Sequence, residues 1–238
     1  EEEAGLPLSR IGSLEFFESL VQRVSYREGF GDVLAEGTLR AADQLGRGSR
    51  ELITDYVSRT GFTTTYSPRL YLTTALFYAV EPRQPIQHLH EIGTLIQKWV
   101  QWFERGEEGS YVSSEVVRAI ARRFWGSEMA GDFSTYEGKA LAAAKIQDRQ
   151  YVKECLILCD FVWPLRNTEF VSGHVGDPTM ESRLFSAVTG VEMGEEELYR
   201  VGERVFNLQR AVTLREGRQG KLDDVIEEFN YIIGVQAD

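Results

Sequence analysis

Apolar residues recur along most of the chain with the spacing of an α-helix, and this periodicity constrains the fold more than any other feature. In the segment 194–212 the recurring apolar positions lie on one helical face: Leu198, Val201, Val205, Leu208 and Val212. Strand signals are weak, because the β-prone run FTTTY at 62–66 has no second run to pair with it across a tight turn. The sequence therefore predicts an all-α fold of about eight to ten helices.

Residues that favour helix ends mark several boundaries of the predicted helices. Ser13 and Ser113 stand where N-caps are expected, and Pro85 suits the first turn of a helix through HLHEIGTLIQKWVQWFE. Another helix is predicted to begin at Asp32 and to run without interruption to Gly46. Glycines are expected to end four of the helices: Gly29, Gly46, Gly106 and Gly126.

The composition excludes several classes of protein. The 238 residues suffice for one large domain or two small ones. A net charge of -11 argues against a nucleic-acid surface and against an anionic membrane as partners. No apolar run approaches the roughly 20 residues that span a bilayer, and the opening EEEAG lacks a secretory signal and an initiator Met. With only two cysteines, the sequence favours a reducing, cytoplasmic location, and we expect a fragment or a processed product.

Short motifs of catalysis are scarce. The glycines of REGFGDVLAEG resemble the start of a dinucleotide-binding loop, but no strand precedes them, so a junction between helices is the simpler interpretation. His88 and His90 form H-x-H, which places the two rings about 200° apart on a helix and disfavours a shared metal. A partly exposed helical pair is the simpler interpretation. His174 lies in a predicted loop, where catalysis and simple solvation both stay open.

Both cysteines lie in the stretch ECLILCD. A capping box of Ser134 and Glu137 predicts a long helix through this stretch, which Pro164 must end. In such a helix Cys155 and Cys159 are one turn apart on one face. They are either two small buried apolar residues or a source of thiolate for a metal or cluster. Since a cluster needs about four ligands, the others would then come from polypeptide outside this sequence.

Several long segments resemble the tungsten-dependent aldehyde:ferredoxin oxidoreductase family. They cover most of the chain: YREGFGDVLAEGTLRAA at 26–42, residues 66–69, YEGKALAAAKIQDRQYVKECLILCDF at 136–161, LFSAVTGVEMGEEELYRVGERVFNLQRAVTLREG at 184–217, and Asp223 and Asp224 beyond. The resemblance implies the family's helical C-terminal domains, with 1–82 ending the first, 83–238 forming the second, and a join near Pro82. The family's N-terminal domain, which carries a bis-molybdopterin tungsten cofactor, would lie outside this sequence together with three cluster cysteines.

The resemblance also implies site residues around the cysteines. Cys159 takes the position of the last [4Fe–4S] ligand, at the end of the family's D-x-x-G-L-C motif, and Cys155 becomes a packing residue. Glu154 and Leu158 belong to the same motif, which binds the pterin cofactor. Glu154 stands where the family has Asp, and Ile157 stands where it has Gly, which allows closer backbone approach.

A further implied site residue is the histidine that the family places near the tungsten. Here the corresponding region reads YAVEPRQPIQHLHE. Without a gap the family histidine aligns with Gln87, and a shift of one residue brings His88 there as the proton-handling group. The implied reaction is the two-electron oxidation of an aldehyde, with electrons passed singly through the cluster to ferredoxin.

Two alternatives stay open beside this function. The chain could be a non-catalytic helical scaffold or subunit-interaction module, or part of a tungsten-containing reductase of aromatic acyl-CoA thioesters. In each case we expect the isolated chain to be inactive and to bind no cofactor, since it lacks the other cluster cysteines and the cofactor domain. The sequence leaves open the substrate, tungsten versus molybdenum, and the oligomeric state, for which a homodimer is one option.

Overall fold

The computed structural model describes residues 5–54, 56–58, 61, 68, 71–159, 163 and 166–226. Of these residues, 64% are helical and none belongs to a β-strand, so the predicted all-α fold is confirmed. The run FTTTY at 62–66 and Pro164 lie outside the described residues. None of the helices in the described part of the chain has the length and apolar character that a bilayer crossing requires.

Ten α-helices lie within the described residues. They are α1 Leu14–Tyr26, α2 Phe30–Ala35, α3 Thr38–Leu45, α4 Ser49–Ile53, α5 Thr73–Val80, α6 Ile86–Arg105, α7 Ser114–Phe124, α8 Lys139–Cys155, α9 Met180–Thr189 and α10 Glu195–Arg215. Four short 3-10 segments accompany them: Leu8–Arg10, Gly106–Glu108, Glu128–Gly131 and Gly220–Leu222.

Several predicted helix ends are confirmed. The Ser13 side chain accepts a hydrogen bond from the backbone of Phe16, and Ser113 accepts one from Val116. These bonds satisfy backbone N–H groups that have no partner within the first helical turn. Pro85 is the N-cap of α6. Glycines follow three helices as predicted: Gly46 after α3, Gly106 after α6 and Gly126 one residue beyond the C-cap of α7.

Other predicted boundaries are wrong in the first part of the chain. Helix α1 ends at Tyr26, because Arg27 already adopts the left-handed conformation with φ of 56°. The helix predicted from Asp32 to Gly46 is broken at Gly37, whose φ is 85°, into α2 and α3. The glycine-rich stretch is a junction between helices, as predicted.

The predicted start of α8 is also wrong. Asp132 Oδ1 accepts hydrogen bonds from both the backbone N–H and the hydroxyl of Ser134, at 2.9 and 2.6 Å. This local turn occupies Ser134, so it does not cap a helix. The helix begins instead at Lys139, after Gly138 in the left-handed conformation.

The chain divides into two compact units, Glu1–Thr64 and Thr65–Asp238. In the first unit, α1 packs on α2, α2 on α3 and α3 on α4. A Cβ atom at Gly31 would lie 2.3 Å from the carbonyl oxygen of Arg23, so only glycine lets α2 approach α1 this closely. The predicted domain join near Pro82 stays a prediction, although α5 packs against α6 and α8 and belongs to the second compact unit.

Helix α8 is central to the second unit, where it contacts α5, α6, α7 and α10. The apolar core lies mainly between α6, α7 and α8, with Leu89, Ile120 and Ala142 fully enclosed. A Cβ atom at Gly202 would lie 2.0 Å from the carbonyl oxygen of Asp148, so a glycine allows α10 to cross α8. The apolar face predicted on α10 is buried only at its start, because Leu208 is 67% exposed.

Candidate functional site

Residues predicted for the site meet where α5 ends, α6 begins and α8 ends. Glu81 follows α5 directly, and its Oε1 lies 3.5 Å from Nε2 of His88 in the first turn of α6. Arg83 Nη2 lies 2.5 Å from both carboxylate oxygens of Glu154, in the last turn of α8. The structure therefore brings His88 and Glu154 to one site, through Glu81 and Arg83, which sequence reasoning missed.

His88 is completely enclosed. Its ring packs against Phe77, with ring centroids 5.1 Å apart, and edge-on against Tyr151 at 5.8 Å. Neither ring nitrogen makes a hydrogen bond to another described residue. The interpretation of a partly exposed H-x-H pair is wrong for His88, while His90 is half-buried.

The surroundings of His88 keep its imidazole neutral. Burial, assisted by the positive charges of Arg83 and Lys153, lowers the pKa of His88 to about 3, while Glu91 acts in the opposite direction. A neutral imidazole retains one nitrogen that can accept a proton. The site therefore holds a buried base without a charge of its own.

Glu81 is buried beside this base. Gln147 Nε2 donates a hydrogen bond of 2.8 Å to its Oε1, and the Tyr151 hydroxyl lies 2.8 Å from its Oε2. Burial raises the pKa of Glu81, and the contacts with Gln147 and Tyr151 offset only part of this effect. Glu81 is therefore harder to ionise than an exposed glutamate.

A second buried carboxylate, Glu91, lies further along α6 among cations. Arg149 Nη1 is 3.0 Å from Oε1, and Arg166 Nη1 and Lys153 Nζ are 3.7 and 3.8 Å from Oε2. Burial by itself raises the pKa of Glu91, but the charges of Arg149, Arg166 and Lys153 outweigh it and lower the pKa. Arg149 also contacts Glu181 on α9, at 2.8 Å. We call these five residues the Glu91 cluster.

The end of α8 corrects the predictions for the cysteines. The helix ends at Cys155, because Ile157 adopts the left-handed conformation with φ of 57°. Leu158 N–H donates to the Lys153 carbonyl at 2.9 Å, and Ile157 N–H donates to Glu154 at 3.1 Å, which is the Schellman pattern. Cys159 therefore lies beyond the helix, and the predicted shared face with Cys155 is wrong.

Both thiols are free and exposed. A packing role for Cys155 and the interpretation of two buried apolar cysteines are therefore wrong. The position of Ile157 is the C′ position, where a left-handed residue is required and glycine is preferred. This explains, in physical terms, the glycine that the D-x-x-G-L-C motif has here.

Glu154 and Leu158, predicted to contact a pterin, lie on either side of this turn. The Glu154 carboxylate is occupied by Arg83, so a cofactor contact at Glu154 would compete with that ion pair. Leu158 is half-buried and presents only apolar side-chain atoms. Their role at a pterin stays a prediction.

Cys159 fits the position of a single cluster ligand. Its exposed thiol is accessible, and its carbonyl accepts a 2.7 Å hydrogen bond from the backbone of Trp163. In the described part of the chain, no three His, Cys, Asp or Glu side chains form a group that could hold a metal ion. A [4Fe–4S] cluster needs about four ligands, so the described residues can contribute to such a site but do not complete it.

Three residues in or after α10 hold the last turn of α5, directly before Glu81: Arg210, Arg218 and Asp224. Arg218 donates to the Ala79 carbonyl at 2.5 Å and Arg210 to the Val80 carbonyl at 3.3 Å. Both guanidinium groups also bind Asp224, at 2.7 and 2.8 Å. Asp224 thus positions the site from the other end of the second unit, a role without a local sequence signal.

His174 adopts a left-handed conformation, with φ of 58°, in the segment between α8 and α9. Its ring stacks on Tyr111 at 4.9 Å, and Nδ1 lies 3.2 Å from the Thr168 carbonyl. These contacts indicate that His174 supports the loop.

The comparison with known families agrees with this helical arrangement. A family described as aldehyde ferredoxin oxidoreductase, domains 2 & 3, matches residues 1–231. The chain therefore belongs to the aldehyde ferredoxin oxidoreductase family and represents its C-terminal helical domains, as the resemblance predicted. No solved structure matches the chain.

Proposed function

We propose that the chain is the C-terminal helical part of a tungstopterin iron–sulfur oxidoreductase that oxidises aldehydes, or reduces a related carbonyl substrate, with ferredoxin as electron partner. The observation that carries this proposal is the exposed Cys159 thiol, held by the turn after α8 in a chain of this family. A [4Fe–4S] cluster ligated there would supply single-electron transfer, and a tungstopterin would supply the carbonyl chemistry.

The chain's own residues have distinct roles in this proposal. Cys159 would hold one iron. His88 accepts and returns a proton, since it is a neutral base without a hydrogen bond to any described residue. Arg83 and Glu154 form a half-exposed ion pair next to it and control which polar group approaches. A cytoplasmic location is also part of the proposal, and the two free cysteines are consistent with it.

The isolated chain is expected to be inactive. Only one of about four cluster ligands is assigned within it. Turnover of an aldehyde by this chain alone would contradict the proposal.

A non-catalytic helical scaffold is the second candidate, and the burial of His88 favours it. No part of the imidazole is exposed, with a relative exposure of 0%. In a scaffold, His88 and Glu81 would be buried polar residues that fill space between α5, α6 and α8.

Metal analysis separates the two candidates. The longest reading frame that contains this sequence is expressed without oxygen, and iron and tungsten are measured per chain. We expect about four irons per chain, with most of the iron lost in Cys159→Ser. Cys155→Ser is the matched control, because this thiol is also exposed and lies four residues earlier, and it should retain the iron. An iron content that stays unchanged in Cys159→Ser would favour the non-catalytic scaffold instead.

A further inference from the structure

The hydroxyl of Tyr151 lies between two oxygen atoms. One is Oε2 of Glu81, at 2.8 Å, and the other is the side-chain oxygen of Gln209 on α10. A phenol carries one proton and can donate to only one of them. Donated to Oε2 of Glu81, this proton satisfies that oxygen and leaves Oε1 as the oxygen on which a proton of Glu81 would face His88.

The neighbours of Glu81 among the described residues favour its protonated form. In the described part of the chain, no lysine or arginine lies within ion-pair distance of Glu81, whose only such neighbour is the neutral His88. An ionised carboxylate removed from water is unfavourable without a paired cation or several donors. Gln147 and Tyr151 are the two donors that it has there, and both are uncharged. A neutral acid satisfies both oxygens without a charge.

His88 is the group that can exchange a proton with this acid. Its Nε2 is 3.5 Å from Oε1 of Glu81 and has no hydrogen-bond partner among the described residues. A neutral acid and a neutral imidazole share one exchangeable proton. Its transfer breaks the O–H bond of Glu81 and forms an N–H bond on His88, which leaves a carboxylate beside an imidazolium.

We propose that Glu81 is a neutral carboxylic acid at physiological pH and stores the proton that His88 uses, so that the two residues form a buried proton-holding pair. Its part in turnover rests on the proposed function, whereas the protonation of Glu81 is a property of this chain. Glu81 is then a positioning and proton-storing residue that acts through His88.

Charged groups from several elements face the pair. Arg83, in the loop after α5, favours ionised Glu81 and neutral His88, and Glu154 on α8 favours neutral Glu81. Lys153 on α8 favours neutral His88, while Glu91 on α6 favours its charged form. From α10 the facing group is the uncharged Gln209. Burial raises the pKa of Glu81 and lowers that of His88 to about 3, which keeps the proton on Glu81.

Carboxyl carbon NMR of the chain with labelled glutamate tests the protonation directly. We expect the Glu81 signal to stay at the position of a protonated acid at neutral pH and to move only at higher pH. Glu91 is the matched control, since it is equally buried and should give the signal of a carboxylate throughout. The variants Glu81→Gln and Glu91→Gln assign the two signals, and His88→Gln assigns Glu81 by its shift if Glu81→Gln does not fold. A carboxylate signal from Glu81 at neutral pH would overturn the proposal.

Ring nitrogen NMR of His88 tests the sharing. We expect a neutral ring with its proton on Nδ1, because Nε2 faces the acid proton of Glu81. A proton on Nε2 at neutral pH would overturn the pair. Both measurements are independent of metal binding. Failure to incorporate iron would therefore sink the proposed function alone, whereas an ionised Glu81 would sink the pair alone.

Discussion

Two buried glutamates in neighbouring segments, Glu81 and Glu91, have opposite surroundings. Their exposures are 2% and 1%, so burial does not distinguish them. Neutral donors and a neutral imidazole surround Glu81, whereas three cations surround Glu91. The comparison shows that burial sets the free-energy cost of ionising a carboxyl group, and that the neighbouring groups decide whether it stays ionised.

Helix α8 supplies both environments from different faces. Gln147 and Tyr151, four residues apart, point to Glu81, and Arg149 and Lys153, also four residues apart, point to Glu91. Residues four apart share a face of a helix, while residues two apart point in nearly opposite directions. The polar side chains of this stretch of α8 therefore find partners on two faces, Glu81 on one and Glu91 on the other.

The largest expected effect comes from Glu91→Gln. The substitution leaves three buried cations with Glu181 as the remaining anion of the Glu91 cluster, so we expect a loss of about 3–5 kcal/mol in the free energy of unfolding. Glu81→Gln is the matched control and should lie within about 1.5 kcal/mol of the wild type at neutral pH, since it replaces a neutral acid by a neutral amide. Unfolding in urea measures both, and equal losses would break the comparison.

The pH dependence of stability gives the next effect. Between the ordinary pKa values of 4.5 for Glu81 and 6.5 for His88, the unfolded chain carries one proton of the pair, on His88. In the proposed pair the folded chain also carries one proton, on Glu81, while burial lowers the pKa of His88 and keeps it neutral. The pair itself therefore adds no pH dependence to the free energy of unfolding in this window.

A substitution of either residue alone should make the free energy of unfolding depend on pH in this window, with slopes of opposite sign for Glu81 and His88. In Glu81→Gln only the unfolded chain holds a proton, so the free energy of unfolding should rise with pH by about 1.4 kcal/mol per unit relative to the wild type. In His88→Gln only the folded chain holds a proton, so the free energy of unfolding should fall by about 1.4 kcal/mol per pH unit relative to the wild type. Urea unfolding of the three proteins across the window measures the slopes, and slopes of the same sign would contradict the pair.

Two buried tyrosines sharpen the comparison at a smaller scale. Tyr151→Phe removes a hydroxyl that contacts Glu81, and we expect a loss of about 1–2 kcal/mol, because a buried polar atom loses its partner. The matched control is Tyr199→Phe, since the Tyr199 hydroxyl is buried and makes no hydrogen bond within the described residues. This control should be neutral or slightly stabilising in the same unfolding experiment. A larger loss at Tyr199 than at Tyr151 would argue against the contacts assigned to Glu81.

The smallest effect is expected at the exposed end of α8. Ile157 is a β-branched residue in the left-handed conformation, so Ile157→Gly should raise the free energy of unfolding by about 0.5–1 kcal/mol, after the greater entropy of glycine in the unfolded chain is subtracted. Both pH slopes at Glu81 and His88 should stay unchanged, which makes this variant a control for effects transmitted through α8. A loss of stability would contradict the assigned strain.

Sequence reasoning predicted the features that depend on neighbours in the chain. Ser13 and Ser113 begin helices because a cap acts on backbone groups within the next turn, and Pro85 begins one because the fixed φ of proline suits a helix start. The family resemblance likewise depends on long local segments and correctly indicated the helical domains. The resemblance pointed to His88 and Cys159 as site residues. It did not indicate that His88 is enclosed or that Cys159 is exposed.

Tertiary structure decided what depends on distant parts of the chain. Asp132 removed Ser134 from its predicted cap, and no local pattern marks Glu81, whose partners come from α6 and α8. Glu91 pairs with Arg149, which lies 58 positions further along the chain. The sequence by itself therefore determined the helices and the family, because caps and periodicity are local. The protonation of its buried groups was decided only by packing, because the free energy of a charge depends on every group that the fold brings around it.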